Sequence, residues 1–474
     1  MRFPACLVLL TAALGACDDS GTAAFPMQAT PAHASMFGEV DVELTGDFSR
    51  LGTLSSVSVG GILALNVRAT PTVLTLRVQG APASGPASIV VTGDRGVGTS
   101  ESAFAYDPPA GGAAPRWSAF GASLTQGFQS AGLNAHGQVV GFAAATARAS
   151  GAYLGLPLVV DTFLPPMTPA EFVKDCGRTF DVGMIAADVI GSISDPATKR
   201  IDFRRARQDA TMVTQNFAVG GAKVAAVLQP ATGGSSFIER VIELPDGNPT
   251  SFGGAVTFSQ VDRLVMLDPD VAVSLDLLAN DSDSSVTQSD DLHPELATDL
   301  PTIQAELTEL ASRLGGLHGD YFISNLLELD ALPNVVDLRA QRIAAGKDTA
   351  ASFDLKVAKV KALIDAYNAA LGSAVAPYPN LHVVDVRTWT ATIIRDGVVI
   401  GGQRLTGQKF GGLLSLDHLH FTDTGYALAA NVFIDAINGA KGWQIPHVDV
   451  AAVLAADALS PRALQQAGVM CGGP

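Results

Sequence analysis

The sequence predicts an α/β chain in which a parallel sheet covered by helices follows a small all-β sandwich. Residues 31–107 contain short stretches of alternating polar and apolar residues, separated by turn signals such as Gly60-Gly61. Residues 108–114 are rich in proline, glycine and alanine, a composition typical of a linker. Strand and helix patterns alternate over residues 115–442, which indicates a parallel sheet, and residues 443–474 form a C-terminal tail.

The composition excludes several classes of protein. The chain has 474 residues, of which 47% are apolar and 16% charged, so it can bury a large core and is not generally disordered. Its 30 Lys and Arg residues against 46 Asp and Glu residues give a net charge of −16. Because phosphate contacts need clustered cations, we expect no nucleic-acid partner.

The N-terminal residues have the pattern of a secretion signal. Arg2 precedes an apolar stretch over residues 5–14, which is too short to span a bilayer, and small residues lead to Cys17. Residues 14–17, Leu-Gly-Ala-Cys, resemble the bacterial lipobox. The resemblance implies cleavage before Cys17, lipidation of its thiol, and a polar tether over residues 18–30. We therefore expect an exported cell-envelope lipoprotein, on the periplasmic or the outer-surface side. The alternative is an ordinary signal peptide over residues 1–17 with a chance cysteine.

The chain has four cysteines. Cys6 lies in the expected signal peptide and Cys17 is the expected lipid anchor, which leaves two. Cys176 and Cys471 could form a disulfide in an oxidising exterior and hold the C-terminal tail to the main domain. Two buried thiols are the alternative.

The β-rich segment has the strand pattern of a small sandwich. Its strands are predicted at residues 41–44, 57–59, 73–78 and 87–92. Residues 44–48, 57–61 and 85–91 resemble an IPT/TIG immunoglobulin-like module. The resemblance implies a spacer or a partner-binding role, and it leaves the partner open.

The α/β segment begins with a short apolar strand and ends with a helix. Strands are predicted at residues 117–120, 270–278, 321–326 and 381–386, and helices at residues 136–150, 258–267, 300–314, 352–371 and 424–437. A hairpin is predicted to turn at Asp396-Gly397, between residues 393–394 and 398–400.

A serine follows the first strand of the α/β segment. Small residues flank Ser123, so its backbone can turn sharply where open α/β sheets bind their ligands. A serine hydroxyl is a weak nucleophile and needs a base within hydrogen-bond reach. The alternative for Ser123 is the N-cap of a helix.

An aspartate and two histidines lie near the end of the domain. Asp417 and His420 are three residues apart, so one loop can direct the carboxylate at the imidazole. His418 competes with His420 for this role, and the spacing from Asp417 favours His420. Thr422 or Asp423 is predicted to cap the helix that follows.

These two motifs, Gly-x-Ser-Leu after the first strand and Asp-x-x-His before the last helix, resemble the SGNH (GDSL) hydrolase superfamily. The resemblance covers about residues 114–442 and implies a three-layer α/β/α domain. It implies a serine ester hydrolase with Ser123, Asp417 and His420 as catalytic residues. Residues 216–222 and 277–281 are similar to two further blocks of the family. They imply an oxyanion hole built from the N–H groups of Ser123 and Gly221 and the side chain of Asn280.

The same resemblance implies no metal and no organic cofactor, and no Cys/His cluster has zinc spacing. Residues 281–291 are predicted to form a solvated acidic loop rather than a calcium site. An enlarged cover over residues 154–254 favours lipid or acyl esters as substrates. Ala122 and Leu278 stand where the family has Asp and Gly. They raise the alternative of a non-catalytic binding lipoprotein on a hydrolase-like fold.

Overall fold

The protein is described from a computed structural model. The described residues are 25–35, 40–78, 81, 85–107, 115–169, 203–208, 213–230, 241, 258–282, 285–286, 290–328 and 332–468. They form two compact units, of which the first takes in most of residues 25–107 and the second residues 115–468.

The first unit consists of strands, as predicted. They are β1 (Gln28–Thr30), β2 (His33–Ser35), β3 (Val40–Thr45), β4 (Leu54–Val59), β5 (Ile62–Leu63), β6 (Leu65–Ala69), β7 (Val73–Val78), β8 (Gly85–Gly93) and β9 (Gly96–Asp107). Two antiparallel sheets form, in the orders β1-β3-β7-β6 and β2-β9-β8-β4-β5. Alternate residues such as Leu44, Leu74, Ile89 and Val91 are fully buried, which fits sheets with one face on a core.

The second unit is built on a four-stranded parallel sheet, which confirms the predicted fold class. Its strands β10 (Trp117–Ala119), β11 (Val271–Ser274), β12 (Asp320–Ser324) and β13 (Leu381–Val384) lie side by side in chain order. Every residue of β11 is buried, as expected for a strand covered on both faces.

Helices connect and cover these strands. They are α1 (Ser123–Gln126), α2 (Ala135–Val140), α3 (Phe142–Ala149), α4 (Val224–Leu228), α5 (Gln260–Leu267), α6 (Ala279–Ser282), α7 (Leu300–Leu314), α8 (Pro333–Ala344), α9 (Ala350–Val375), α10 (Val386–Asp396), α11 (Asp423–Lys441), α12 (Val450–Ala456) and α13 (Pro461–Gln466). Of these, seven were not predicted: α1, α4, α6, α8, α10, α12 and α13. Short 3-10 helices lie at Phe48–Leu51, Phe203–Ala206 and Pro294–Leu296.

Two predicted elements are wrong in detail. The helix expected over residues 136–150 is interrupted at Gly141, whose ψ of 151° is extended. A Cβ at this position would lie 3.3 Å from Cα of Gly127, so a close backbone approach separates α2 from α3. The hairpin of β14 (Val398–Ile400) and β15 (Gln403–Leu405) turns at Gly401-Gly402, both with positive φ, and not at Asp396-Gly397. Residues 393–394 belong instead to α10.

The strand predicted over residues 270–278 is also too long. It ends at Ser274, because the N–H of Leu275 donates to Oγ1 of Thr125 and not to a neighbouring strand. Asn280 therefore lies in the short helix α6 rather than at the end of the strand.

Candidate active site

Ser123 lies at the start of α1, directly after β10. Gly121 turns the chain with a φ of 126°, and a Cβ there would come within 2.7 Å of Oγ of Ser274. Ser123 is half-buried, whereas Ala122 and Leu124 on either side of it are buried. Ala122 occupies the N-cap position, so Ser123 is not the N-cap of this helix. The turn thus leaves the serine as an accessible residue in a buried segment.

A buried carboxylate that the sequence analysis missed holds this turn. Asp276, two residues beyond β11, is 3% exposed. Its Oδ1 accepts from the N–H of Ala122 at 2.9 Å and from Oγ1 of Thr125 at 2.6 Å, and its Oδ2 accepts from the N–H of Leu124 at 2.6 Å. Burial raises the pKa of Asp276, and the three hydrogen bonds and the charge of His420 oppose that rise. An acid directly after an apolar parallel strand is the only local sign of this role.

Asp417 and His420 form a buried pair. Oδ2 of Asp417 lies 2.7 Å from Nδ1 of His420, and the two side chains are 6% and 9% exposed. Oδ1 accepts from the N–H groups of Leu419 and His420, each at 2.9 Å. Burial by itself would raise the pKa of Asp417, but the charge and hydrogen bonds of His420 hold it well below its usual range. The carboxylate is therefore ionised and can orient the imidazole.

His418 is placed differently from His420. It takes up a left-handed backbone with a φ of 59°, and its ring packs edge-on against Phe410 at 6.3 Å between centroids. Burial and the charge of Lys409 lower the pKa of His418 to about 4. The structure thus places His420, and not His418, with Nδ1 against the Asp417 carboxylate.

The segment after Ser123 joins it to the histidine loop. The N–H of Phe128 donates to the carbonyl of Ser123 at 3.0 Å, and the Phe128 ring lies 5.5 Å from the ring of His420. The N–H of Ala131 donates to Oδ2 of Asp417 at 2.5 Å. The three predicted catalytic residues are therefore connected through residues 128–131.

The block that contains Gly221 lies beside the turn around Ser123. The N–H of Val219 donates to the carbonyl of Gly121 at 3.1 Å. Oε1 of Gln126, in α1, accepts from the N–H of Gly220 at 2.7 Å. Gly221 is exposed and has a φ of 81°, a conformation that favours glycine. No local pattern marks Gln126 for this role, because the contact spans 94 residues.

Asn280, in α6, contacts the same block. Its Nδ2 donates to the carbonyl of Ala222 at 3.0 Å, and the residue is half-buried. An amide nitrogen carries two hydrogens, and this bond uses one of them. Leu278 is 1% exposed and belongs to the interior.

The expected acidic loop is partly buried. Asp281 is 1% exposed and accepts from the N–H of Val224 at 2.9 Å and from Oγ1 of Thr298 at 2.6 Å. This part of the predicted solvated loop is therefore wrong. Asp291 forms an ion pair with Lys356 at 2.7 Å.

Several predicted features lie outside the described residues. These are Cys17, Cys176, Cys471 and most of the expected cover over residues 154–254. In the part of the chain that is described, no group of three or more His, Cys, Asp or Glu residues could hold a metal ion. Among the same residues, no helix combines the length and the apolar character needed to cross a membrane.

Comparison with known proteins places the site in a family. Residues 118–433 match the family model described as GDSL-like lipase/acylhydrolase. Among solved structures, the chain is similar to a variant of an acetyl xylan esterase from Geobacillus stearothermophilus, with 12% identity and a TM-score of 0.32 over 71% of this chain and 99% of that one. It is also similar to the protein YXIM from Bacillus subtilis, with 10% identity and a TM-score of 0.27 over 86% of this chain and 79% of that one. No curated protein matches the chain.

Proposed function

The chain belongs to the GDSL-like lipase/acylhydrolase family, and we propose that it is a serine hydrolase of carboxylic esters in which Ser123, His420 and Asp417 are the catalytic residues. The observation that carries the assignment is the 2.7 Å contact between Asp417 and His420, in a loop bonded to the segment after Ser123. An ionised carboxylate beside Nδ1 sets the tautomer in which Nε2 can accept a proton.

The proposed reaction has two halves. Oγ of Ser123 attacks the carbonyl carbon of the ester, and its proton passes to Nε2 of His420. When the tetrahedral intermediate collapses, the carbon–oxygen bond to the alcohol breaks and the alcohol takes that proton. Water then attacks the acyl-enzyme, again with His420 as base, and releases the acid and Ser123.

The negative charge that develops on the carbonyl oxygen needs hydrogen-bond donors. We assign this role to the N–H groups of Ser123 and Gly221 and to Nδ2 of Asn280. The positive φ of Gly221 supports the assignment, as does the bond from Asn280 in α6 to Ala222 in the Gly221 block. That block is itself bonded to the turn around Ser123, through the N–H of Val219 and the carbonyl of Gly121. Donors of this kind lower the barrier most when they are fixed before the reaction.

The substrates that we propose are carboxylic esters, with acyl lipids among them. The ring of Phe128 against His420 supports an apolar acyl group next to the base. We also propose export and lipid anchoring through Cys17, supported by the apolar stretch and the Leu-Gly-Ala-Cys sequence before it. The strand-rich unit then serves as a spacer or a partner-binding module of the IPT/TIG type.

Hydrolysis of p-nitrophenyl esters of increasing acyl length tests the function. We expect turnover by the native protein, complete loss in Ser123→Ala at unchanged melting temperature, and labelling of Ser123 by a fluorophosphonate. Turnover near the native rate in folded Ser123→Ala would place the nucleophile elsewhere. Absence of turnover in the native protein, with ester binding retained in both forms, would support a binding lipoprotein, for which Ala122 and Leu278 are the departures to examine.

A further inference from the structure

We propose that Asp276 is the positioning residue of the nucleophile: its carboxylate fixes the backbone on both sides of Ser123 and so sets the direction of the serine hydroxyl. The inference rests on the proposed function, because it concerns the same serine. It adds a residue from the loop after β11, which lies 152 to 154 residues further along the chain than the turn that it holds.

The hydrogen bonds of Asp276 bracket the serine. The N–H of Ala122 precedes Ser123 and the N–H of Leu124 follows it, and the two oxygens of one carboxylate accept from both. These bonds do not use the N–H of Ser123 itself, which the proposed oxyanion hole requires. The Gly121–Ala122 and Ser123–Leu124 peptide units, one on each side of the Ser123 N–H, are thus held by a single carboxylate.

The third hydrogen bond of Asp276 comes from a threonine hydroxyl. Oγ1 of Thr125 accepts from the N–H of Leu275 at 3.0 Å and donates to Oδ1 of Asp276 at 2.6 Å. Both oxygens of Asp276 therefore act as acceptors, which is the pattern of an ionised carboxylate. A neutral amide at this position would turn at least one donor toward the N–H groups of the turn.

The same geometry explains the alanine before the serine. Ala122 is fully buried, and its nitrogen lies 2.9 Å from Oδ1 of Asp276. A second carboxylate at position 122 would lie beside the first one without room for water. The acid that the family carries before the serine is thus replaced by an acid from the loop after β11 that acts on the same turn.

The charge of Asp276 also acts on the base. The titratable groups that interact electrostatically with the Asp276 carboxylate include His420 and the buried phenol of Tyr426. A carboxylate near His420 favours the protonated imidazolium, so removal of the charge makes His420 easier to deprotonate. The acid limb of the pH profile of kcat/KM therefore moves to lower pH when the charge is removed.

The test compares Asp276→Asn with Asp457→Asn. Asp457 is a matched control, because it is 3% exposed and accepts from two backbone N–H groups, of Thr424 and Leu459, and from one threonine hydroxyl. We expect Asp276→Asn to lower kcat about 10- to 100-fold with KM changed less than about threefold. We also expect the acid limb to move to lower pH. Asp457→Asn should lower the melting temperature by about as much as Asp276→Asn does. It should leave kcat and the acid limb of the pH profile near their native values.

Hydrogen exchange of the peptide over residues 120–127 provides a readout that does not depend on activity. We expect faster exchange in Asp276→Asn and native exchange in Asp457→Asn, because only the first variant loses an acceptor for the turn. Native kcat or native exchange in Asp276→Asn would overturn the proposal, as would equal loss of kcat in the two variants. If the native protein hydrolyses no ester, the proposed function fails, and the exchange measurement still decides whether Asp276 holds the turn.

Discussion

The N–H of Ala131 donates a hydrogen bond of 2.5 Å to Oδ2 of Asp417, the oxygen that also contacts Nδ1 of His420. The two residues are 286 positions apart in the chain. Because Ala131 belongs to the segment that follows the turn around Ser123, movement of this segment changes the position of both Ser123 and His420. The site is therefore held by bonds between its two halves as well as by the sheet beneath it.

The first prediction separates the two histidines. Asp417→Asn should lower kcat/KM roughly 10⁴-fold, because the amide no longer favours the tautomer with a proton on Nδ1. His420→Gln should cost at least as much. His418→Asn should retain activity within about threefold, since its ring packs on Phe410 and asparagine tolerates a positive φ. Activity that depends on His418 and survives the loss of His420 would contradict the assignment.

The second prediction concerns the proposed oxyanion donor. Asn280→Ala should lower kcat about 10²- to 10³-fold with a smaller change in KM, because the donor acts on charge that is absent from the bound ester. Asn438→Ala is the control, since Nδ2 of Asn438 also donates to a backbone carbonyl, that of Ile445, at 2.9 Å. If steady-state kinetics show the same loss in the two variants, Asn280 has no special part in the reaction.

The third prediction concerns the buried alanine. Ala122→Asp should destabilise the fold by about 3–5 kcal/mol and lower kcat, because it places an unpaired carboxylate beside Asp276. Ala122→Asn adds a similar volume without the charge and should cost less. Thermal melts and ester kinetics measure both effects. In the Asp276→Asn background the penalty of Ala122→Asp should shrink, and a penalty of unchanged size there would show that the charge of Asp276 is not its cause.

The fourth prediction is a pH dependence of stability. The pKa of His418 is lowered to about 4 by burial and by the charge of Lys409, whereas its value in an unfolded chain is 6.5. Between these values the unfolded state binds the additional proton. The free energy of unfolding should therefore fall as the pH is lowered from 6.5 to 4, by up to about 1.4 kcal/mol per pH unit. Urea unfolding at several pH values should show a shallower slope over this range for His418→Asn. An identical slope would mean that His418 is not buried as a neutral ring.

The fifth prediction concerns the proposed anchor. Cys17→Ser should move the protein from the membrane fraction to the soluble fraction, or block its maturation, because the thiol that carries the lipid is gone. Cys6→Ser is the control, since Cys6 lies in the proposed signal peptide and its substitution should not affect fractionation. Immunoblots of the two fractions measure the outcome. Unchanged fractionation of Cys17→Ser would leave the lipobox interpretation without support.

Local patterns were enough to predict the parallel sheet and the helices α5, α7, α9 and α11. The helix α7 (Leu300–Leu314) was predicted with its observed bounds, because its apolar residues repeat with the helical period and Asp299 caps it. The helix α11 was predicted within four residues at its C-terminal end, and Thr422 is the cap. The hairpin was misplaced, because the apolar residues before Asp396-Gly397 fit a strand as well as the amphipathic helix that they form.

What the sequence by itself determined was the parallel-sheet fold class, the family, and the pairing of Asp417 with His420, since the motifs behind them each consist of residues close together in the chain. Only the tertiary structure decided that Asp276 holds the turn around Ser123 and that Gln126 holds the glycine block. These hydrogen bonds span 94 to 154 residues, and they form because parallel strands bring their carboxyl ends to one edge of the sheet. Which side chains meet at that edge depends on where β11 ends, and that end is set by the bond from Leu275 to Thr125, a contact without a local pattern.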